Sequence, residues 1–492
     1  MKNPLSPNSL RSSVSLHFPC GWLFGLLLAT SAAMADDPIV LGELPLLFAD
    51  DSGVASAKNI RRAFHPASTL GEPVVAAERS WEGGRVYVYG SVIFSPERNQ
   101  FQMWYGTPKP SKVLYAISAD GVRWTKPALG LFESAEWPAN NIVYHGHSAS
   151  VLRDEFEADA SRRYKLLSAG SDGDGYTATS PDGVRWRPIS AEPVFHCLGG
   201  DTMTLTQNPR TGEYLVYHKN LTEIRGYVRR TVWLTRSPDF KRWSEPVIVF
   251  APDEQDEAWI EPQSKQRTDV YGMSVFPHAA GFLGLPAIFR VEKIRPKDEL
   301  SPGQAGDDGP IDIQLVTSTD GVQWARTEPR LAIIPRGAHG DFDRGALLGV
   351  TNTPVHAGDK TWIYYTALTT THGAPVPPKR IAIGRAEWRL HGFASLDAEG
   401  EGEIQTKLLR FSQARLMINA DAARGDVRVE LRDGGGKVLS GYSFADSEPL
   451  ARDQTRQVAR WKSGATIPVS QSLVVVLKLK NARLFSLWSG AE

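Results

Sequence analysis

The sequence predicts an all-β protein: a five-bladed β-propeller over residues 63–390, then a β-sandwich of jelly-roll type over residues 393–492. Three observations predict it. A short phrase recurs four times, an aromatic strand-like run recurs five times, and the pattern changes after Gly392. The phrase reads Ser118-Ala-Asp120-Gly-Val-Arg-Trp124, Ser180-Pro-Asp182-Gly-Val-Arg-Trp186, Ser237-Pro-Asp239-Phe-Lys-Arg-Trp243 and Ser318-Thr-Asp320-Gly-Val-Gln-Trp324. Its Trp-to-Trp spacings are 62, 57 and 81 residues. A fixed phrase at a long, uneven period marks repeated supersecondary units with insertions.

Each element follows in order. Asp-Gly is a tight-turn signal, because Gly tolerates positive φ and Asp caps nearby backbone amides. Each phrase follows an apolar run and ends on a Trp that opens the next strand. This places it between the third and fourth strands of a blade. Upstream lie the second strands: Phe101-Gln-Met-Trp-Tyr105, Arg163-Tyr-Lys-Leu-Leu167, Glu213-Tyr-Leu-Val-Tyr217 and Gly281-Phe-Leu-Gly-Leu285. Thr361-Trp-Ile-Tyr-Tyr365 is a fifth copy without the turn phrase. The 81-residue spacing holds residues 294–309, a charged, Gly- and Pro-containing surface loop. Residues 36–62 form a lead-in placed to pair with the last blade and close the ring. After Gly392 come alternating strands and an Asp433-Gly-Gly-Gly436 turn, read as the sandwich.

Composition narrows the function classes. The 55 basic and 55 acidic residues cancel, and no basic stripe suits a nucleic acid. The N-terminus reads as an export signal over residues 1–35. Lys2 and Arg11 supply charge, residues 21–28 an apolar core, and Ala33-Met-Ala35 a small-residue cleavage site. The apolar run is short for a membrane span, which needs about 20 residues. With Cys20 in that signal, Cys197 stands alone, without a disulfide partner. The sequence has no P-loop, no dinucleotide fingerprint, no Gly-x-Ser-x-Gly elbow and no zinc-ligand spacing. No cofactor is expected, although a single cation at the funnel axis stays open.

With Trp81-Glu82-Gly83, the aromatic second strands, His372-Gly373 and Gly392-Phe-Ala-Ser-Leu-Asp397 in view, the chain resembles a known group. It is similar to bacterial exported glycosyl hydrolases of the five-bladed β-propeller superfamily, related to glycoside hydrolase families 32 and 43, with an appended β-sandwich. The resemblance implies a carbohydrate substrate and a central funnel with acids on the innermost strands. The Trp-x-Asn-Asp-Pro-Asn-Gly, Arg-Asp-Pro and Glu-Cys motifs of family 32 are absent, so no catalytic residue of that family transfers.

Glycoside hydrolysis needs one carboxylic acid to protonate the leaving oxygen and a second carboxylate to activate water or attack carbon. In a propeller these come from different blades, at the starts of the innermost strands. Those strands are expected near residues 87–94, 148–152, 202–206, 270–276 and 346–351. The acids at or before their starts are Glu82, Asp201, Asp269 and Asp343, the candidate catalytic set. Each reads equally as a loop cap or salt-bridge partner. Candidate substrate-binding residues are Trp81, His147, Trp259, Glu261, Tyr271, Arg344 and His372. The aromatics suit sugar faces or blade packing, and His147 and His372 suit a meeting at the axis or separate core positions. The reading is an exported glycoside hydrolase, periplasmic or extracellular, with a non-catalytic carbohydrate-binding propeller as the alternative.

Overall fold

The computed structural model of the protein describes residues 37–464 and 466–490. The expected export signal lies outside them. Five four-layered sheets run in chain order from residue 87 to residue 389, and each is an antiparallel meander from an inner to an outer strand. Blade one is Tyr87–Ser95, Gln100–Gly106, Lys112–Ser118 and Ile142–His145; blade two is His147–Arg153, Tyr164–Ala169, Gly175–Ser180 and Arg187–Pro188. Blade three is Met203–Gln207, Tyr214–Ile224, Tyr227–Ser237 and Val247–Phe250. Blade four is Arg267–His278, Gly281–Val291, a third strand split into Ile311–Ile313 and Val316–Ser318, and Ala325–Arg326. Blade five is Ala346–Val350, Lys360–Leu368 and Ile381–Arg389, and Ser68–Thr69 supplies its outer strand from the other end of the propeller segment.

The second strands read as unbroken apolar runs because both faces of each blade are covered by its neighbours. Phe101 to Tyr105 are all buried. Hydroxyl bridges link the blades near the axis. Ser91 Oγ donates to Val151 O (2.6 Å), Thr204 Oγ1 to Met273 O (2.7 Å), Ser274 Oγ to Val350 O (2.6 Å) and Thr366 Oγ1 to Val88 O (2.8 Å). Between blades two and three, Ser150 Oγ accepts from the Leu205 amide (2.9 Å). All five gaps are thus bridged, and the bridge from Thr366 of blade five to Val88 of blade one closes the ring.

The repeated phrase sits where the sequence places it. Asp120 Oδ1 accepts the amides of Val122 and Arg123 at 2.9 and 2.8 Å, and Asp182, Asp239 and Asp320 repeat the arrangement. Three of the four turns also grip the preceding blade. Gly183 O accepts from Trp104 Nε1, Gly321 O from the Tyr217 hydroxyl, and Gly121 O from the Tyr364 hydroxyl of blade five. The four turn tryptophans are half-buried, and their indole nitrogens have no hydrogen-bond partner among the described residues.

The lead-in does not close the propeller. Ile39–Leu41, Leu46–Leu47, Val54–Lys58 and Arg61–Phe64 pair with Leu409–Phe411, Ser472–Ser489 and Ala394–Thr406 instead. The physical reason is that the C-terminal strands leave long edges unpaired, and the lead-in covers them. Together they make one ten-stranded sheet, curled about the 18-residue strand Ser472–Ser489, where two facing sheets were predicted. Along that strand Leu473, Val475, Leu477 and Leu479 point inward while Lys478 and Lys480 are exposed. They meet Phe48, Ile404, Phe411, Ile418 and Trp461 in a single core. Ala279 and Ala280, at the end of blade four's first hairpin, join the same core. Arg389 of blade five donates to Asn419 Oδ1 (2.6 Å), so propeller and curled sheet are packed together.

Candidate active site

Inner strands start on one face of the ring, and the repeated turns lie on the opposite face. The starting face is therefore built from the loops before the inner strands and the loops between second and third strands. In blade four the latter loop is a protruding hairpin, Lys293–Ile294 paired with Asp307–Asp308. The stretch read as a plain surface loop thus delivers two carboxylates to this face.

Asp201 ends the loop before blade three's inner strand. It forms an ion pair with Lys219 of the second strand of the same blade. The Asp201 side chain is 44% exposed, against 5% for Lys219. Lys219 Nζ lies 4.8 Å from the centre of the Tyr271 ring, which shields its charge on the apolar side. Burial raises the Asp201 pKa, but Lys219, His147 and Arg230 outweigh it and hold the carboxyl below its ordinary value. Burial lowers the Lys219 ammonium and Asp201 only partly restores it. The same carboxylate acts electrostatically on Tyr87, Tyr89, His147 and Tyr271, so these groups surround it. Tyr87 and Tyr89 stack at 6.0 Å with an interplanar angle of 10°, and His147 tilts against Tyr89 at 5.7 Å. Burial lowers the His147 pKa, which keeps the ring neutral.

Asp269 lies beside this group and is fully buried. Arg230 Nη1 bonds its Oδ2 at 2.6 Å and Arg267 Nε its Oδ1 at 3.1 Å. The same two arginines reach Asp307 Oδ2, each at 2.8 Å. Two guanidinium groups and two carboxylates form a closed lattice that leaves Asp269 no oxygen for a substrate. Burial raises Asp307, and Arg230 and Arg267 bring it below its ordinary value. Asp307 keeps 19% side-chain exposure.

Glu82 and Asp343 are drawn away from the funnel. Glu82 is fully buried and each of its oxygens is occupied. Oε2 accepts the amides of Glu78 and Arg79, Oε1 accepts the Tyr105 hydroxyl at 2.8 Å, and Lys126 pairs at 2.8 Å. Asp343 accepts the Tyr365 hydroxyl at 2.6 Å, and its burial raises its pKa. Tyr105 and Tyr365 end the matching aromatic runs of blades one and five. These two acids are therefore equivalent anchors for a second strand. Arg344 does not pair with Asp343; its Nε donates to Thr369 O at 2.9 Å.

The binding candidates divide similarly. Tyr271 and His147 line the Asp201 group. His372 packs on Tyr271 (5.2 Å) and Phe289 (4.9 Å), and burial lowers its pKa to about 4. His147 and His372 thus pack on different aromatic pairs and do not meet. Among the described residues no three His, Cys, Asp or Glu side chains converge as a metal site. Trp81 donates to Asn141 Oδ1 (2.9 Å) and Trp259 to Thr268 Oγ1 (3.0 Å), which fits blade packing. Glu261 is exposed on the loop before blade four. Cys197 lies 3.1 Å from His218 Nδ1, with its thiol pushed up to about 12 by burial and so unreactive. Sequence reasoning missed Lys219, Arg230, Arg267, Asp307, Tyr87 and Tyr89. The available signal was charge inside otherwise apolar strands, at Lys219 and at Arg229-Arg230.

No family model matches the chain, and no curated protein matches it. Solved structures do. An N-acetylgalactosamine deacetylase from F. plautii, in complex with blood group B trisaccharide, is 17% identical, with 70% of this chain and 97% of that chain covered at a TM-score of 0.43. A thermostable family-43 glycoside hydrolase is 13% identical, covering 61% and 90%, with a TM-score of 0.42. The Bombyx mori GH32 beta-fructofuranosidase is 11% identical, covering 87% and 94%, at 0.37. These are likenesses of fold alone. The functional reading stands on the funnel's own residues.

Proposed function

We propose that the protein is an exported glycoside hydrolase that cleaves a glycosidic bond of an oligo- or polysaccharide in the propeller funnel, with Asp201 acting on the substrate. One observation carries this reading. Asp201 combines an open side chain, an ionised carboxylate and a surround of Tyr87, Tyr89, Tyr271 and His147. Sugar sites pair apolar ring walls with a few fixed polar groups, and this set supplies both. An ionised Asp201 suits the nucleophile or base of glycoside cleavage, not the acid. Asp307 is the partly exposed carboxylate left to partner it, while Asp269 positions Arg230.

A second reading, a non-catalytic carbohydrate-binding propeller, is favoured by one fact. Arg230 and Arg267 hold Asp307 ionised, and the carboxyl with a raised pKa, Asp343, is bound to Tyr365. Purified protein is to be screened on plant and algal glycans, with reducing-end release and binding measured in parallel. Under the hydrolase reading, Asp201→Asn lowers kcat by about 10²–10⁴-fold, the usual contribution of a positioned acid–base group; because it also strips the buried Lys219 of its carboxylate partner, kcat is read at a temperature below the variant's own melting transition. Wild-type turnover retained in Asp201→Asn removes Asp201 from the chemistry. Binding without release by the wild type establishes the second reading.

A further inference from the structure

Buried cations in this protein come with carboxylates. Lys165 pairs with Glu157 at 2.6 Å, Lys219 with Asp201, and Arg229 with Glu257. Lys379 breaks the pattern. It lies in the loop between blade five's second and third strands and is only 6% exposed. Its Nζ donates to two carbonyls, His372 O at 2.7 Å and Gly303 O at 3.3 Å. Arg85, two residues before Tyr87, approaches the same point. Its Nη1 lies 3.8 Å from where a Cβ on Gly303 would stand. Among the described residues neither cation has a carboxylate within ion-pair distance. The acid facing Lys379 is Asp308, which Arg295 holds at 2.8 Å and the Gly373 amide at 2.8 Å.

Burying a charge without a partner costs several kcal/mol, so such a cation is expected where a ligand completes it. Burial, and after it the repulsion of Arg85, push Lys379 down to about 8, against a smaller pull from Asp308. An arriving anion relieves both. The pair also borders the Asp201 group. Arg85 and Asp201 both act on the Tyr87 phenol, and Lys379 and Lys219 both act on His372. Within the group itself, Lys219, Arg230 and Arg267 balance Asp201, Asp269 and Asp307. Arg85 and Lys379 are therefore an unbalanced positive charge at its edge.

We propose that Arg85 and Lys379 form an anion subsite beside the funnel, and that the saccharide bound there is acidic, bearing a carboxylate or a sulfate. This rests on the reading of the funnel as a saccharide site. The test is calorimetric binding to the full-length protein. Galacturonate oligomers and sulfated galactan oligomers are compared with neutral galactan oligomers of equal length, at low and high salt. Acidic oligomers are expected to bind at least ten-fold more tightly, with the advantage shrinking as salt screens it. Whichever acidic series is preferred identifies carboxylate or sulfate as the group. Arg85→Gln and Lys379→Met each bring the acidic affinity down to the neutral level. Because Lys379→Met removes a buried group, Arg85→Gln is the deciding variant, with melting curves as the folding control. Inorganic sulfate should raise the wild-type melting temperature more than that of Arg85→Gln. Equal affinity for acidic and neutral oligomers, no binding of either acidic series, or a preference retained in Arg85→Gln overturns the subsite. Acidic oligomers bound through Arg85 but never cleaved leave the subsite standing and sink the hydrolase reading. Neutral oligomers cleaved without acidic preference do the reverse.

Discussion

The two faces of the propeller are built on opposite plans. On the turn face, four blades carry the same Ser-x-Asp-x-x-x-Trp device, with the same amides on the same aspartate. On the funnel face, the loops between second and third strands share nothing. They hold Ser111 in blade one, the long hairpin carrying Arg230 in blade three, the Asp307–Asp308 hairpin in blade four and Lys379 in blade five. Repetition marks what holds the ring together. Departure from repetition marks where charges gather, because a recognition site has no five-fold symmetry.

The largest expected effect compares a buried histidine on each face. His372 by the funnel and His356 in blade five's first hairpin on the turn face are both lowered to about 4 by burial. Their folded pKa values lie below the unfolded value near 6.5, so the unfolded chain binds more protons between these limits. Stability is complete above about pH 6.5 and is lost as the pH falls toward 4, by up to about 1.4 kcal/mol per pH unit for each group. Denaturant unfolding at several pH values should show this slope, and His356→Gln or His372→Gln should each flatten it equally. A slope that changes with only one of them shows that the two faces unfold separately.

The next effect tests the turn device. Gly183 has φ +76°, and a Cβ there would stand 2.6 Å from the Trp104 ring of the preceding blade. Gly183→Ala therefore meets both backbone strain and overpacking, and should lose about 2–4 kcal/mol in denaturant unfolding. Gly84, in the loop before blade one, has φ +74° and open space around it. Gly84→Ala meets the strain alone, about 1–2 kcal/mol. Equal losses at the two sites would show that the inter-blade contact contributes nothing.

The smallest effect concerns the tryptophans. Trp324 stands edge-on to Tyr217 of the preceding blade at 5.9 Å, and its indole nitrogen is buried without a partner. Trp324→Phe keeps an aromatic edge and removes an unsatisfied donor, so its cost should stay below about 1.5 kcal/mol. A loss above 3 kcal/mol (roughly that of truncation to Ala) would mean that ring area and not edge contact holds the blades.

Asp201 shows how far sequence could reach into the site. Two glycines before it and an apolar strand after it mark a carboxylate at a strand start. Glu82 and Asp343 also stand just before an inner strand, without the two preceding glycines, and have another fate. Lys126 pairs with Glu82 from 44 positions away, and Tyr365 bonds Asp343 from 22 positions away. Such partners are invisible to local register. The arginine lattice on Asp269 was hidden in the same way, since Arg230 comes from blade three and Asp307 from an insertion.

Local chemistry was enough for the blades. Asp caps, the left-handed backbone at Gly and the period-2 strands act over a few residues, so turn order, blade count and the change after Gly392 are written in the chain. Phe240 marks the edge of that legibility. It takes the glycine position in blade three at φ +60°, fully buried, because Tyr214 and Trp243 pack around it at 4.9 and 5.5 Å. Tertiary packing there outweighs the backbone preference. The same non-local terms decided that the lead-in joins the curled sheet, that Ser68–Thr69 closes blade five, and that Asp201 is the carboxylate left open. Each depends on which distant strand edge or opposite charge the fold brings near, and on how much water is removed between them.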